Sequence, residues 1–206
     1  MRVLAWPKVS LNSYVEELYE AMVEADPTVE VKPFKVLNAW RSSADLIHVH
    51  WPEAAYNSPS YIRSILKTSI VLVTLASHKV RGASVVWTCH NLKAHDQRHP
   101  RIEKVARAIF DRMIDGVIHL SPESLTAMAD SPSLADKHAC VVPHGMYVVD
   151  STPPSTAEAR DALGLEPDVP VLGFVGLIRP YKNVTALIES FASMDNKAQL
   201  LSLIHI

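Results

Sequence analysis

The chain has 206 residues, 48% of them hydrophobic and 20% charged, a globular composition with apolar mass for one good core and the start of a second. Its 20 Lys and Arg against 22 Asp and Glu leave a formal net charge of -2, which excludes a global basic field drawing the protein onto nucleic acid or anionic lipid; any anion site must be local. The two cysteines, Cys89 and Cys140, lie in or beside apolar runs that read as buried strands, without CxxC or other metal spacing, and point to a reduced, cytoplasmic compartment.

Short apolar strands alternate with helical patterns along the chain. RVLAWP (2 to 7) reads as a strand, and Tyr14, Val15, Leu18, Tyr19, Met22 and Val23 then recur at helical spacing. The opening MRVLAWPKVS is too short an apolar run for a signal peptide. VEVKPF (29 to 34) and LIHVHW (46 to 51) are the next strands, and 59 to 77 is a long helix. Within it ILKTSIVLVTLA (65 to 76) is the longest apolar run; interrupted by Lys67, it suits a core helix rather than a bilayer span, which needs roughly 18 to 20 uncharged residues. SVVWTCH (84 to 90) is a strand, Arg101 to Ile114 a helix with basic and apolar faces, and GVIHL (116 to 120) a strand. A helix opens at Ser121 and Pro122 with Glu123 in its first turn, and ACVVPH (139 to 144) is one more strand.

Strands that are apolar throughout, alternating with helices, predict an α/β fold: a doubly wound parallel sheet with helices on both faces. From Asp150 to Pro170, prolines and small polar residues surround a short helical segment before VLGFVGLI restarts an apolar strand, the composition of a linker into a second domain. About 35 residues after it cannot bury a core alone. Either the last strand and helix dock onto the first domain, or the chain is a fragment.

Ligands of open parallel sheets sit beyond the carboxyl ends of the strands, where strand order reverses. The residues at those ends are polar and titratable: Asn12 and Ser13 after the first strand; His50, Trp51 and Glu53 after the third; His90, Asn91, His95 and Asp96 after the 84 to 90 strand; Ser121 and Glu123 after the next; and His144 and Gly145 after the last. His48 and His50, two apart, share one face of their strand, and Glu53 lies close by. In FVGLIRPYKN (174 to 183), an apolar strand ends in Arg179 and Lys182 at the mouth of a helix, where fixed cations and free backbone N–H groups suit an anion.

In this order, HVHWPE, VVWTCHNLKAHD, VIHLSPESL, VVPHGMY and FVGLIRPYKNV resemble the retaining GT-B glycosyltransferases of the family-4 kind, also called glycosyltransferase group 1, up to about residue 199. The resemblance implies two Rossmann-like domains facing each other across a cleft. Residues 1 to 168, with a linker at about 150 to 170, are similar to the acceptor-side domain, and 169 to 206 to the first strand and helix of a truncated donor-binding domain. It implies transfer of a hexose, with retention, from a nucleotide diphosphate sugar to a glycan, lipid-linked or small-molecule acceptor, with no cofactor and no metal. Arg179 and Lys182 would hold the donor diphosphate, where cations stabilise the charge that develops on the departing phosphate. His90 would sit beside the reacting sugar, and Asn12, Ser13, His50, Trp51, Glu53, Asn91, His95, Asp96, His144 and Gly145 would line the acceptor side and the cleft.

The chain departs from the family pattern in four places. Leu177 stands where the family commonly has an arginine, the PKVSLNSYV loop lacks paired glycines, and the later acidic motif with two glutamates is absent. The final QLLSLIHI departs from the usual strand, so its last six or so residues read as non-native continuation, and the isolated chain is expected to be inactive. Two other readings stay open: a non-catalytic sugar- or nucleotide-binding module or subunit, and a metal-dependent hydrolase using His48, His50, His90, His95 and Asp96. Arg98, Arg101, Lys104 and Arg107 place positive charge along one helical region, enough for weak peripheral contact with the inner face of a membrane.

Overall fold

A computed structural model of the protein describes residues 1–7, 13–36, 42–91, 98–129, 131–146, 152–194 and 197–203. The chain divides into two compact units, Met1–Tyr147 and Val148–Ile206.

The first unit is built on strands β1 (Arg2–Trp6), β2 (Glu30–Pro33), β3 (Leu46–Val49), β4 (Ser84–Cys89), β5 (Gly116–His119) and β6 (His138–Val141). They pair in the order β2-β1-β3-β4-β5-β6, every pair parallel. The chain runs outward from β1 to β2 on one side and from β3 to β6 on the other, so the order reverses between β1 and β3. Helix α1 (Tyr14–Ala25) connects β1 to β2; α2 (Glu53–Tyr56) and α3 (Tyr61–Val80) lie between β3 and β4; α4 (Pro100–Met113) and α5 (Pro122–Ala129) follow β4 and β5. The architecture is α/β, doubly wound and Rossmann-like.

Alternation along the strands sorts the side chains to the two faces. Ile47, Val49, Val85, Trp87, Cys89 and Val117 join Leu75 of α3 and Phe110 of α4 in the main core. The opposite face carries a smaller cluster under α1: Ala5, Val15 and Tyr19, with Tyr14, Met22, Val31 and Trp51 against it. Burying a side chain such as Leu75 or Ile47, both fully covered, stabilises the fold by about 1.5–3 kcal/mol. Asp115 ties three elements: its carboxylate lies 2.6 Å from Lys79 Nζ at the end of α3 and accepts the Val85 N–H at 2.8 Å.

Helix α3 packs against the core, as its apolar run implied, through one stripe. Ser64, Thr68, Val71, Leu75 and His78 form its buried stripe, while Ile62, Ile65, Leu66, Ile70 and Val73 are exposed, because a helix lying on a sheet presents only one stripe to it. Cys140 is exposed rather than buried, since β6 is an edge strand; Cys89, in the sheet interior, is buried.

The second unit holds α6 (Thr156–Ala162), β7 (Val171–Val175), a 3-10 turn (Pro180–Lys182), α7 (Val184–Ala192) and β8 (Gln199–Leu203). Strands β7 and β8 pair in parallel as a separate two-stranded sheet and do not join the six-stranded one. A capping box opens α6: the Ser155 side chain accepts the Glu158 N–H, and the Glu158 carboxylate accepts the Ser155 N–H at 2.8 Å.

Candidate functional site

Polar residues interrupt the apolar strands at alternate positions, His48 and His50 at and beyond the end of β3, Thr88 and His90 at and beyond the end of β4. Alternation sends all four to the face covered by α1, opposite the face on which Ile47, Val49, Trp87 and Cys89 pack. On α1, Tyr19 follows Val15 by one helical turn, and both are buried against this face. In register with His48 on β1 stands Ala5, a small residue that shares the Tyr19 cluster.

The result is a continuous buried chain of polar contacts. Thr88 Oγ1 lies 2.8 Å from His48 Nε2. The Tyr19 hydroxyl lies 3.0 Å from His48 Nδ1 and 2.9 Å from His50 Nε2. His50 Nδ1 then meets His90 Nε2 at 3.0 Å. Thr88, His48, His50 and Tyr19 are buried, and His90 is half-buried at the carboxyl edge of the sheet. There Trp51 stacks on the His90 ring at 4.4 Å between centroids and 20° between planes, Tyr14 meets it edge-on at 5.3 Å, and His144 stands 6.2 Å away. Tyr14 and His144 also touch each other, with ring centroids 4.2 Å apart.

Burial controls the protonation of this cluster. It pushes His48 down to about 4, with His90 adding to the shift, and His50 down to about 2, with His48 and His90 adding to it. His90 falls to about 4 through burial and then the neighbouring His144. Burial likewise drives the Tyr19 phenol far above its ordinary range, with Tyr14 contributing. At neutral pH all three imidazoles are therefore uncharged, each with one N–H and one lone pair.

The structure places the other expected residues variously. Ser13 is the exposed residue before α1 and makes no side-chain cap there. His50 stands behind His90 and reaches the sheet edge through it. Trp51 covers His90, and Asn91, which follows it, is partly exposed. Glu53 opens α2; burial raises its carboxyl, and its electrostatic neighbours are Arg107 and Glu103 of α4. His144 and Gly145 are exposed. Asn12, His95 and Asp96 lie outside the described residues.

Both ring nitrogens of His48 and of His50 are engaged with protein partners. No group of three or more His, Cys, Asp or Glu among the described residues is arranged to hold a metal ion. Those engaged nitrogens take His48 and His50 away from the hydrolase reading.

In the second unit Gly176 adopts φ 125°, and Lys182 Nζ lies 3.2 Å from where a Cβ on Gly176 would stand. Glycine suits that backbone, which L side chains rarely adopt; the amine ends a flexible, exposed side chain and can give way. Arg179 precedes the 3-10 turn and Lys182 ends it, with the Lys182 N–H donating to the Arg179 carbonyl at 2.9 Å, and both are exposed. Asn183, at φ 52°, then opens α7.

Of the basic stretch, Arg98, Arg101 and Lys104 are exposed, but Arg107 is not. Arg107 turns inward, 2.6 Å from Asp111 and 4.2 Å above the Trp87 ring. Arg101 borders an apolar groove of about 320 Å³ between α3 and α4, lined also by Tyr61, Ile65, Leu72, Val105 and Ile109. Among the described residues no helix is long and apolar enough to cross a membrane.

Sequence reading alone did not single out Tyr14, Tyr19 or Thr88 as members of this cluster. The signal for Thr88 was present, since VVWTCH repeats the apolar-polar alternation of LIHVH. For the tyrosines no local signal exists, because apolar helical spacing marks them only as core-facing.

The fold and the polar cluster at its carboxyl edge define a Rossmann-like domain of the sort that holds ligands beyond the strand ends. No family model matches the chain. It is 29% identical over 187 residues to a GDP-mannose:glycolipid 4-beta-D-mannosyltransferase of Xanthomonas campestris pv. campestris, an alignment covering 89% of this chain and 47% of the relative. It is 44% identical over 126 residues to a D-inositol 3-phosphate glycosyltransferase of Actinosynnema mirum, covering 55% of this chain and 29% of the relative. The chain thus spans about half the length, or less, of the curated relatives it matches. A solved structure of Anabaena HepE in complex with UDP-glucose shares the fold, with a TM-score of 0.62 at 15% identity over 98% of this chain and 60% of that one. These findings bear out the resemblance carried by the motifs: the relatives are glycosyltransferases, and the chain is similar to the amino-terminal portion of a GT-B glycosyltransferase of group 1.

Proposed function

We propose that this chain is the acceptor-side part of a glycosyltransferase that moves a hexose from a nucleotide diphosphate sugar to a glycan, lipid-linked or small-molecule acceptor, with retention and without a metal. The observation that supports it most is the similarity to named glycosyltransferases over 89% of the chain, combined with a histidine-rich cluster at the carboxyl edge of the sheet. In this reading residues 1–168 bind the acceptor, with a linker at about 150–170, and residues 169–206 begin a donor-binding domain. His90, half-buried and neutral, faces the reacting sugar; a neutral imidazole positions or polarises a hydroxyl rather than pairing with a charge. Trp51, stacked on that ring, fixes its plane. Arg179 and Lys182 supply cations for the donor diphosphate. The names of the relatives suggest GDP-mannose and a glycolipid as the first donor and acceptor to try.

The test is a transfer assay with GDP-mannose and UDP-glucose, run on the 206-residue chain and on a fusion supplying the remaining length of the Xanthomonas relative. Transfer is expected from the fusion, unaffected by a chelator, lost in His90→Ala, and weakened about ten-fold or more in donor affinity by Lys182→Ala. Donor binding indifferent to Lys182→Ala would remove that residue from its assigned role. Failure of every donor would leave a binding module as the better account.

A further inference from the structure

We infer that Thr88, His48, Tyr19 and His50 form a buried hydrogen-bond relay of fixed direction that holds His90 as its Nδ1–H tautomer, so that His90 presents a hydrogen-bond donor, not a lone pair, at the sheet edge. The four are positioning residues: they touch one another and His90 Nε2, and their effect reaches the site only through that ring.

The direction follows from where the protons can go. Each neutral imidazole has one N–H and one acceptor nitrogen, and each hydroxyl has one proton to give. Once one link is oriented, every other follows, so the chain has two self-consistent directions. In the first, the Thr88 O–H donates to His48 Nε2, His48 Nδ1–H to the Tyr19 oxygen, the Tyr19 O–H to His50 Nε2, and His50 Nδ1–H to His90 Nε2. His90 is then left with its proton on Nδ1. In the second, every arrow reverses: His90 Nε2–H donates to His50, His50 Nε2–H to Tyr19, Tyr19 O–H to His48 Nδ1, and His48 Nε2–H to Thr88 Oγ1. The Thr88 proton must then find another acceptor.

Thr88 is fully buried, and among the described residues its hydroxyl makes no hydrogen bond besides the one to His48. The second direction therefore strands a buried O–H, whereas the first uses every buried proton. A stranded buried donor disfavours its state by up to roughly a hundred-fold, which outweighs the modest preference of the three rings for Nε2–H. The first direction wins, and all three histidines carry Nδ1–H, the tautomer that a free histidine side chain in water disfavours.

The tautomer does not depend on the enzymatic reading. Its consequence does: if the chain acts in sugar transfer, His90 donates to an oxygen of donor or acceptor and does not act as the initial base.

The test is a two-bond proton–nitrogen correlation spectrum of the imidazoles in the nitrogen-15-labelled 206-residue chain at neutral pH, without ligand. His48, His50 and His90 are expected with protonated Nδ1 and bare Nε2. Thr88→Val, nearly isosteric, removes the terminal donor and makes both directions strand one polar atom. His90 should then change from mainly Nδ1–H to mainly Nε2–H, the form a free ring prefers. Thr88→Ser keeps the hydroxyl and should restore the single tautomer. His90 found as Nε2–H in the wild type, or unchanged in a folded Thr88→Val, overturns the relay. Should Thr88→Val fail to fold, the wild-type and Thr88→Ser spectra decide the question alone. A confirmed tautomer alongside absent sugar transfer would sink the enzymatic reading and leave the relay standing.

Discussion

Mild acid should destabilise the first unit, and the cause should be His48 and His50. Both rings have an ordinary value of 6.5, and burial lowers them to about 4 and about 2 in the folded protein. Between pH 6.5 and 4 the unfolded chain therefore binds more protons at these rings than the native state does, and stability rises with pH across that window. Their stabilising contribution is fully present above 6.5 and is lost as pH falls; the loss levels off below about 4 for His48 and continues toward about 2 for His50. Each ring approaches a slope of about 1.4 kcal/mol per pH unit, so by pH 5 each has removed about 2 kcal/mol and the pair about 4. A domain is stable by only about 5–15 kcal/mol, so that loss is large.

His90 and His119 shift in the same direction through burial and add to the loss. The lowered carboxyls of Asp26, Glu30, Asp45 and Asp115 lose their contributions only near and below their ordinary values of 3.8 to 4.5. Glu53, raised by burial, acts with the opposite sign in the acidic range. The interval from pH 7.5 to 5 thus lies above the range in which those lowered carboxyls titrate. The assay is urea unfolding followed by tryptophan fluorescence, which reports the first unit because all four tryptophans, Trp6, Trp40, Trp51 and Trp87, fall within 1–147. A stability change below about 1 kcal/mol between pH 7.5 and 5 would refute the claim that these rings are buried and neutral.

Three further outcomes follow from particular contacts. Arg107→Leu leaves the buried Asp111 without its 2.6 Å partner and Trp87 without its stacked cation, and should cost roughly 2 to 4 kcal/mol in urea unfolding; Arg107→Leu with Asp111→Asn should recover part of it. Ser155→Ala removes the capping box of α6 and should cost about 1 kcal/mol locally, read as faster amide exchange across Thr156–Ala162. Gly176→Ala puts a side chain on a backbone of φ 125°, and should cost about 1–3 kcal/mol, read as faster exchange of the residue 176 amide that donates to the Leu203 carbonyl.

Much of the fold was legible because its signals are local. Apolar runs such as SVVWTC and LIHV, too short for helices and separated by helical periods, imply buried parallel strands before any contact is known. The same reading misjudged Cys140, because local hydrophobicity cannot say which strand ends up at an edge. Of the candidate site, the alternation that puts His48 and His50 on one face was visible, and so was the position of His90 at a strand end. That these rings meet Tyr19 and Thr88 was not. Tyr19 lies 29 residues from His48, and Thr88 lies 40 residues from it.

The sequence by itself determined the class of architecture, the two faces of each strand and the collection of titratable residues at the carboxyl ends, because these depend on periods of two and of about 3.6 residues along one stretch of chain. Only the tertiary structure decided the protonation of the cluster and the direction of its hydrogen bonds. Both require strands β3 and β4 to lie side by side under α1, where water is excluded and each buried proton must find its acceptor in a residue distant in the chain.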